Sequence, residues 1–287
     1  MLPQVVVYTF ILGSLYLLVS LGFSLISGVL RVFNLGYGIV FALAAYLTWM
    51  CMRDFGLGLI PSIILMVAFQ LGITYAMYRG IILRYFEREE ILLTALILVA
   101  NIVEQAVNYK YPIIAGVSIP TTLAPGTLDI LGVAIPKQLI IAAIVGLIFT
   151  TLFVIFFLKS KFGLITRAIS QDPQSSLLMG ANVTRFFGYA CLLSVIPPIV
   201  CTLLVAPVWA IDPFMGSSFL MTAIPISILG SLGNLRGSII SSYIIGFVHS
   251  IVSFAFNPRF MGLAALVVVI AVLVFKPEGI TRSESLW

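Results

Sequence analysis

Apolar residues in this chain run unbroken for about twenty positions at a time, separated by short clusters of Gly, Pro, Lys and Arg. Such runs fall near 5–29, 35–52, 57–78, 91–109, 137–158, 186–207, 214–232, 237–256 and 260–276. A helix needs about 20 apolar residues to cross a hydrocarbon core of about 30 Å, whereas a barrel strand would alternate over about ten. The second and seventh runs are short and rich in glycine. The pattern therefore predicts eight to nine transmembrane helices, one or two of them broken or short. Composition agrees: of 287 residues, 61% are hydrophobic and 9% charged, with mean hydropathy +1.20, against roughly 25% charged in soluble domains. The expected fold is an all-α polytopic membrane protein, a single transmembrane domain over 1–287.

Charge orients the spans. With the N-terminus outside and nine crossings, the inside segments hold Arg31, Arg79, Arg84, Arg88, Lys159, Lys161, Arg167, Arg185, Arg236, Lys276 and Arg282. The outside segments hold only Arg53, Lys110, Lys137 and Arg259. That asymmetry obeys the positive-inside bias and puts the C-terminus in the cytoplasm. The net charge of +5 is spread over loops, with no basic run suited to nucleic acid. Cys51, Cys191 and Cys201 lack metal-ligand spacing and read as small core residues. Residues 1–4 carry no Lys or Arg, so the first run reads as a span and not as a cleavable leader.

Two loops stand out. The connector 159–185 contains Asp172-Pro173, a helix cap followed by a residue with helical φ, and then Gly180, which suits a left-handed helix stop. Between them PQSSLLM predicts about two helical turns, roughly 10 Å long, with Leu177, Leu178 and Met179 in want of a partner. An ordinary turn between spans is the plainer reading. On the outer side, the loop 110–136 alternates polar and apolar residues on both flanks of Pro125-Gly126, which predicts a small hairpin or lid around that turn.

Within the apolar runs, residues 28–38 and 230–237 combine glycine, arginine and asparagine, at Asn34 and Asn234. They suit either broken helices lining a wet path or tight interhelical turns. Asn101, Glu104, Gln105 and Asn108, spaced by three and four, share one side of a helix. That polar side suits a translocation path or glue between helices. The single histidine, His249, is assigned no role. Catalytic chemistry finds no footing: one histidine excludes H-E-x-x-H, and no G-x4-G-K-[ST] is present to bind ATP. No cofactor or metal is implied.

Four ordered segments carry a family resemblance. Gly28-Val-Leu-Arg-Val-Phe-Asn-Leu-Gly-Tyr-Gly38 with Ala44-Ala45-Tyr46, the stretch Thr166 to Val183, Ile228 to Gly237, and Lys276-Pro-Glu-Gly-Ile280 resemble the branched-chain amino acid ABC transporter permeases of the LivH/LivM type, closer to LivH. The resemblance implies an ABC importer permease (type II-like) in the inner membrane, itself non-catalytic. It also implies partners: a second homologous permease, two cytoplasmic ATP-binding subunits, an extracytoplasmic solute-binding protein and membrane lipid. On that reading Asp172, Pro173, Leu177, Leu178, Met179 and Gly180 form the cytoplasmic segment coupled to an ATPase, and Asn34, Tyr37 and Asn234 join the polar side at 101–108 as candidates for the path. The family commonly has Asn-Phe-Ala-His-Gly-Glu where this chain has Asn34-Leu-Gly-Tyr-Gly-Ile39. With the histidine and the acid replaced by Tyr37 and Ile39, urea and short amides stand beside branched-chain amino acids as substrates. A stand-alone channel or secondary carrier for small neutral solutes is the alternative from another class.

Overall fold

The computed structural model describes residues 2–112, 119, 124–130 and 132–281. Eight of its helical stretches are long and apolar enough to cross a bilayer. They are α1 (Leu2–Leu30); a 3-10 turn (Leu35–Gly38) leading into α2 (Ile39–Arg53); α3 (Leu59–Met77), continued by a π turn (Tyr78–Ile82) and α4 (Leu83–Tyr85); and α5 (Glu89–Lys110). After a hairpin follow α6 (Lys137–Lys159), the short α7 (Lys161–Gln171) and α8 (Pro173–Leu178), then α9 (Val183–Ser194) running into α10 (Ile196–Val205). The chain continues through α11 (Met215–Leu229) and α12 (Leu235–Ala255) to a 3-10 turn (Pro258–Phe260) and α13 (Met261–Phe275). At 15 residues α11 is about 22 Å long, too short to cross alone. Eight long spans and one short helix match the expected pattern.

α1 is the axis of the bundle. From Ile11 to Leu30 all but one of its residues are buried, against α12, α6, α11, α10 and α9. Small and hydroxylated residues let backbones approach where helices gain nothing by leaving lipid for one another. A methyl group on Gly246 would lie 2.8 Å from the Gly13 nitrogen, and one on Gly28 would lie 2.3 Å from Gly233 Cα. Between those contacts the Ser238 hydroxyl donates to Ser24 Oγ at 2.9 Å.

Both glycine-rich interruptions are reversals of the chain. At the first, Arg31 takes φ +54 and the Asn34 side chain caps the 3-10 turn, accepting from the Gly36 N–H at 3.1 Å. At the second, Ser231 takes φ +68 and Asn234 caps α12 through the Gly237 N–H at 3.1 Å. The C-terminal segment clamps this second turn. The Ile280 amide donates to Leu229 O at 2.9 Å, Thr281 Oγ1 donates to Gly230 O at 2.7 Å, and the Ser231 hydroxyl faces the carbonyls of Glu278 and Thr281.

A hairpin forms in the second half of the loop 110–136. β1 (Thr127–Ile130) pairs antiparallel with β2 (Val133–Pro136), with Ile130 opposite Val133, and Gly132 has φ +78. A two-residue hairpin loop favours a left-handed position, and in this register Val133 and Ile135 turn into the core. Residues 118 and 120–123 of the other expected flank lie outside the described residues.

Close helix approach gives a direct test. Gly28→Ala forces a methyl into the Gly233 backbone and is expected to cost about 1–3 kcal/mol. Gly72→Ala, where nothing lies within 4 Å of the added methyl, should be neutral or stabilising by up to about 1 kcal/mol. Thermal unfolding of the two variants in detergent, followed by size-exclusion chromatography, measures the contrast; equal melting temperatures would contradict it.

Candidate functional site

The connector 159–185 is built as a rigid corner. Ser160 caps α7, its hydroxyl accepting from the Gly163 N–H at 3.0 Å. Gly163 lies so close to the end of α6 that a methyl there would meet the Phe157 carbonyl oxygen at 1.7 Å. Arg167 locks the fold-back, donating from Nη2 to Leu158 O at 2.9 Å and from Nε to Gly163 O at 3.2 Å. The Arg31 guanidinium reaches Gln171 O at 3.4 Å and ties the end of α7 to the end of α1.

α8 begins where the sequence predicts. Asp172 Oδ1 accepts from the N–H groups of Gln174 and Ser175 at 3.0 and 3.1 Å, and the Ser175 hydroxyl donates to Oδ2. The Ser175 hydroxyl first, and then its amide, hold the Asp172 carboxyl below the usual carboxylate range. Pro173 takes the first helical position, where its missing N–H costs nothing. Gly180, at φ +85, ends the helix with its amide on Leu177 O at 2.9 Å, and the Ala181 amide bonds Ser176 O at 3.0 Å. On this scaffold Leu177 is 57% exposed, and Leu178 and Met179 are each 90% exposed. Clefts flank the ridge they form. One of about 810 Å3 runs between α8 and the residues around Phe86 and Arg88; another of about 650 Å3 lies toward Asn182 and Phe186.

A second junction sits inside the bundle, where the 3-10 turn meets α5 and the start of α11. Gly38 and Gly216 touch backbone to backbone; a methyl on Gly216 would lie 2.2 Å from Gly38 O. Just before α11 begins, Asp212 holds the turn that leads into it, its Oδ1 accepting from the Phe214 N–H at 2.7 Å. Buried Glu104 faces the Ser217 backbone amide in the first turn of α11, with Asp212 nearby. Beside it runs an aromatic ladder: Phe23 to Tyr37 at 5.6 Å, Tyr37 to Phe41 at 5.6 Å and Phe41 stacked on Phe219 at 4.6 Å.

The four polar residues of α5 are divided by this arrangement. Only Glu104 points into the chain; Asn101 and Gln105 are exposed on its outer surface and Asn108 is half-buried. Tyr37 is fully buried, its hydroxyl donating to Val19 O at 3.0 Å, so here it is a packing residue that lines none of the cavities described. Asn234 is buried as the cap of α12. Asn34 does line an internal cavity, of about 20 Å3, together with Gln70 and Thr74. Gln70 was not anticipated from sequence. It is 1% exposed and its Oε1 has no hydrogen-bond partner; a lone amide in the apolar run 57–78 was the available signal. His249 is satisfied at Nδ1 by the Tyr16 hydroxyl at 2.8 Å. Among the described residues no cluster of His, Cys, Asp or Glu has the makings of a metal site.

Comparison with known proteins adds the family. The profile of the branched-chain amino acid transport system permease component matches residues 5–275. The high-affinity branched-chain amino acid transport system permease protein BraD of Pseudomonas aeruginosa is 24% identical over 284 residues, covering 93% of this chain and 92% of that protein. The high-affinity branched-chain amino acid transport system permease protein LivH of Escherichia coli K12 is 22% identical, with 94% of this chain and 92% of that protein covered. Among solved structures, PsaBC from Streptococcus pneumoniae in complex with Fab aligns at TM-score 0.49 and 16% identity over 94% of this chain and 90% of that one.

The cap of α8 yields a measurable consequence. Asp172→Ala should raise hydrogen exchange at the amides of Gln174 and Ser175, while Asp172→Ser retains most of their protection. Because the folded carboxyl is depressed, its contribution is complete above the unfolded value of about 3.9. It is lost only as pH falls through the lower folded value, so protection factors should be level from pH 8 to pH 5. Equal exchange in wild type and Asp172→Ala would refute the cap.

Proposed function

The chain belongs to the branched-chain amino acid transport system permease family, and from that premise we propose that it is the membrane-spanning subunit of an ATP-driven importer. The subunit is non-catalytic. It sits in the inner membrane with the N-terminus outside and the arginine-rich end, including α7 and α8, in the cytoplasm. It works with a second homologous permease, two ATP-binding subunits and an extracytoplasmic solute-binding protein. The observation that carries this reading is α8: Leu177, Leu178 and Met179 project from a short helix capped at both ends and joined to α7, which Arg167 locks to α6. Apolar side chains held out on a stiff support suit insertion into a groove on an ATPase. Movement of that groove would then displace α6 and α1 through Arg167 and Arg31.

The path runs along the outer surface of α5. Exposed amides on a span are costly in lipid and favour a polar neighbour, so Asn101, Gln105 and Asn108 face the partner permease across the translocation path. Glu104 fixes the start of α11 beside it, and Asn34 lines the cavity beneath. Tyr37 and Asn234 hold the walls. Branched-chain amino acids are the leading substrate, supported by the names of the matched relatives. Urea and short amides follow from the departure at Tyr37 and Ile39.

Leu177→Asp combined with Leu178→Asp should abolish co-purification of the ATP-binding subunits and uptake of labelled leucine, while membrane insertion is unchanged. ATPase binding at the wild-type level in that variant would sink the docking role. Solute flux through liposomes containing this chain alone would favour a carrier instead. Asn101→Leu with Gln105→Leu should leave ATPase assembly intact and lower uptake by about tenfold or more, the order expected when polar groups lining a route are lost. Undiminished uptake would remove α5 from the path.

A further inference from the structure

Between α3 and α9, at the arginine-rich end of the bundle, lies a groove of about 420 Å3 that the proposed transport cycle does not use. Its lining is amphipathic along its length. Arg79 and Arg185 both line it, Tyr75 and Tyr189 stand about one turn further from the arginine-rich end, and Leu192 lies beyond Tyr189 along α9. No acidic residue lines it.

The ladder arises from helix geometry. On α9, Arg185, Tyr189 and Leu192 are spaced by four and three and fall on one face. Opposite them, Tyr75, Arg79 and Leu83 are spaced by four, and the wider π turn at Tyr78–Ile82 keeps that spacing in line. The two helices run in opposite directions, so their arginines meet at one level and their tyrosines at the next. Tyr78 forms the floor: its hydroxyl donates to Thr184 O, and its ring lies where a methyl on Gly188 would meet it at 2.9 Å. Gly188 thus keeps the groove open. The start of α9, capped by Asn182 through the Arg185 N–H at 3.1 Å, adds its positive end to the two guanidinium groups. Tyr75 is 47% exposed and Tyr189 53% exposed, so the groove opens outward from the bundle.

We propose that this groove binds one anionic phospholipid of the inner leaflet. Arg79 and Arg185 take its phosphate, Tyr75 and Tyr189 meet the glycerol and ester region, and an acyl chain follows Leu192 toward the bilayer centre. Charge complementarity selects the occupant. Two arginines with no carboxylate among the described lining residues favour a lipid of net negative charge, and tyrosines near them favour the interfacial layer of a bilayer over a folded protein surface. The inference rests on the orientation proposed above but not on ATPase docking.

The test uses the purified full-length chain in detergent. Native mass spectrometry and thermal unfolding are read with added phosphatidylglycerol, phosphatidylcholine or inorganic phosphate. Phosphatidylglycerol should give a one-to-one adduct and a raised melting temperature; phosphatidylcholine and phosphate should give neither. Arg79→Gln and Arg185→Gln, both at exposed positions, should each weaken phosphatidylglycerol binding about fivefold without changing the melting temperature of the lipid-free protein. Equal binding of the two lipids, unaltered binding by the double variant, or an equal effect of phosphate overturns the proposal. Displacement of the lipid when the ATP-binding subunits assemble also overturns it, by assigning the groove to a protein partner. The Leu177→Asp, Leu178→Asp variant should bind phosphatidylglycerol as wild type does, which separates failure of this site from failure of docking.

Discussion

Inside a bilayer an apolar side chain gains little by leaving lipid for protein, so helices hold together by contact, hydrogen bonds and shape. α1 is the element on which that constraint falls hardest, because it is enclosed on nearly every side. Its glycines and serines give up side-chain bulk so that α12 and the turn at Gly233 come within backbone distance. Ser24 and Ser238 then satisfy each other in a place with no water. The remaining features are arranged around this axis: the 3-10 turn after Leu30, the start of α11 against Gly38, and the connector tied to Arg31.

Much of this was legible in the chain. Span lengths follow from hydropathy because the bilayer fixes one dimension, and α8 follows from Asp172, Pro173 and Gly180 because caps act locally. The hairpin at Gly132 was less legible. Both Gly126 and Gly132 suit a turn, and only the fold shows Val133 and Ile135 turned into the core. The polar side of α5 was legible as a spacing and misleading as a unit. Helical periodicity says which residues share a face, but the direction each faces depends on α11 and the 3-10 turn, which are remote in sequence. Gln70 escaped for the same reason, since its neighbour Asn34 meets it only in the fold.

Stiff and loose parts are segregated. The connector is braced by Arg167, Ser160 and Asp172, three side chains that each serve a backbone group left over at a helix end. The junction at Glu104, by contrast, brings together helix ends and a small cavity, with bare backbone contact between Gly38 and Gly216.

The enclosure of α1 also sets a timetable for assembly. The Tyr16–His249 hydrogen bond joins residues 233 positions apart, and the α12 face that completes the wall around α1 is among the last to leave the ribosome. At typical synthesis rates the interval between the two helices is roughly 10 to 40 s. Throughout that time the α1 face that meets α12, with Gly13 and Ser24 on it, lacks that cover. The sequence that encloses α1 in the finished protein therefore makes it a long-waiting helix during biogenesis, and a natural client for whatever shields polar spans at the insertion site.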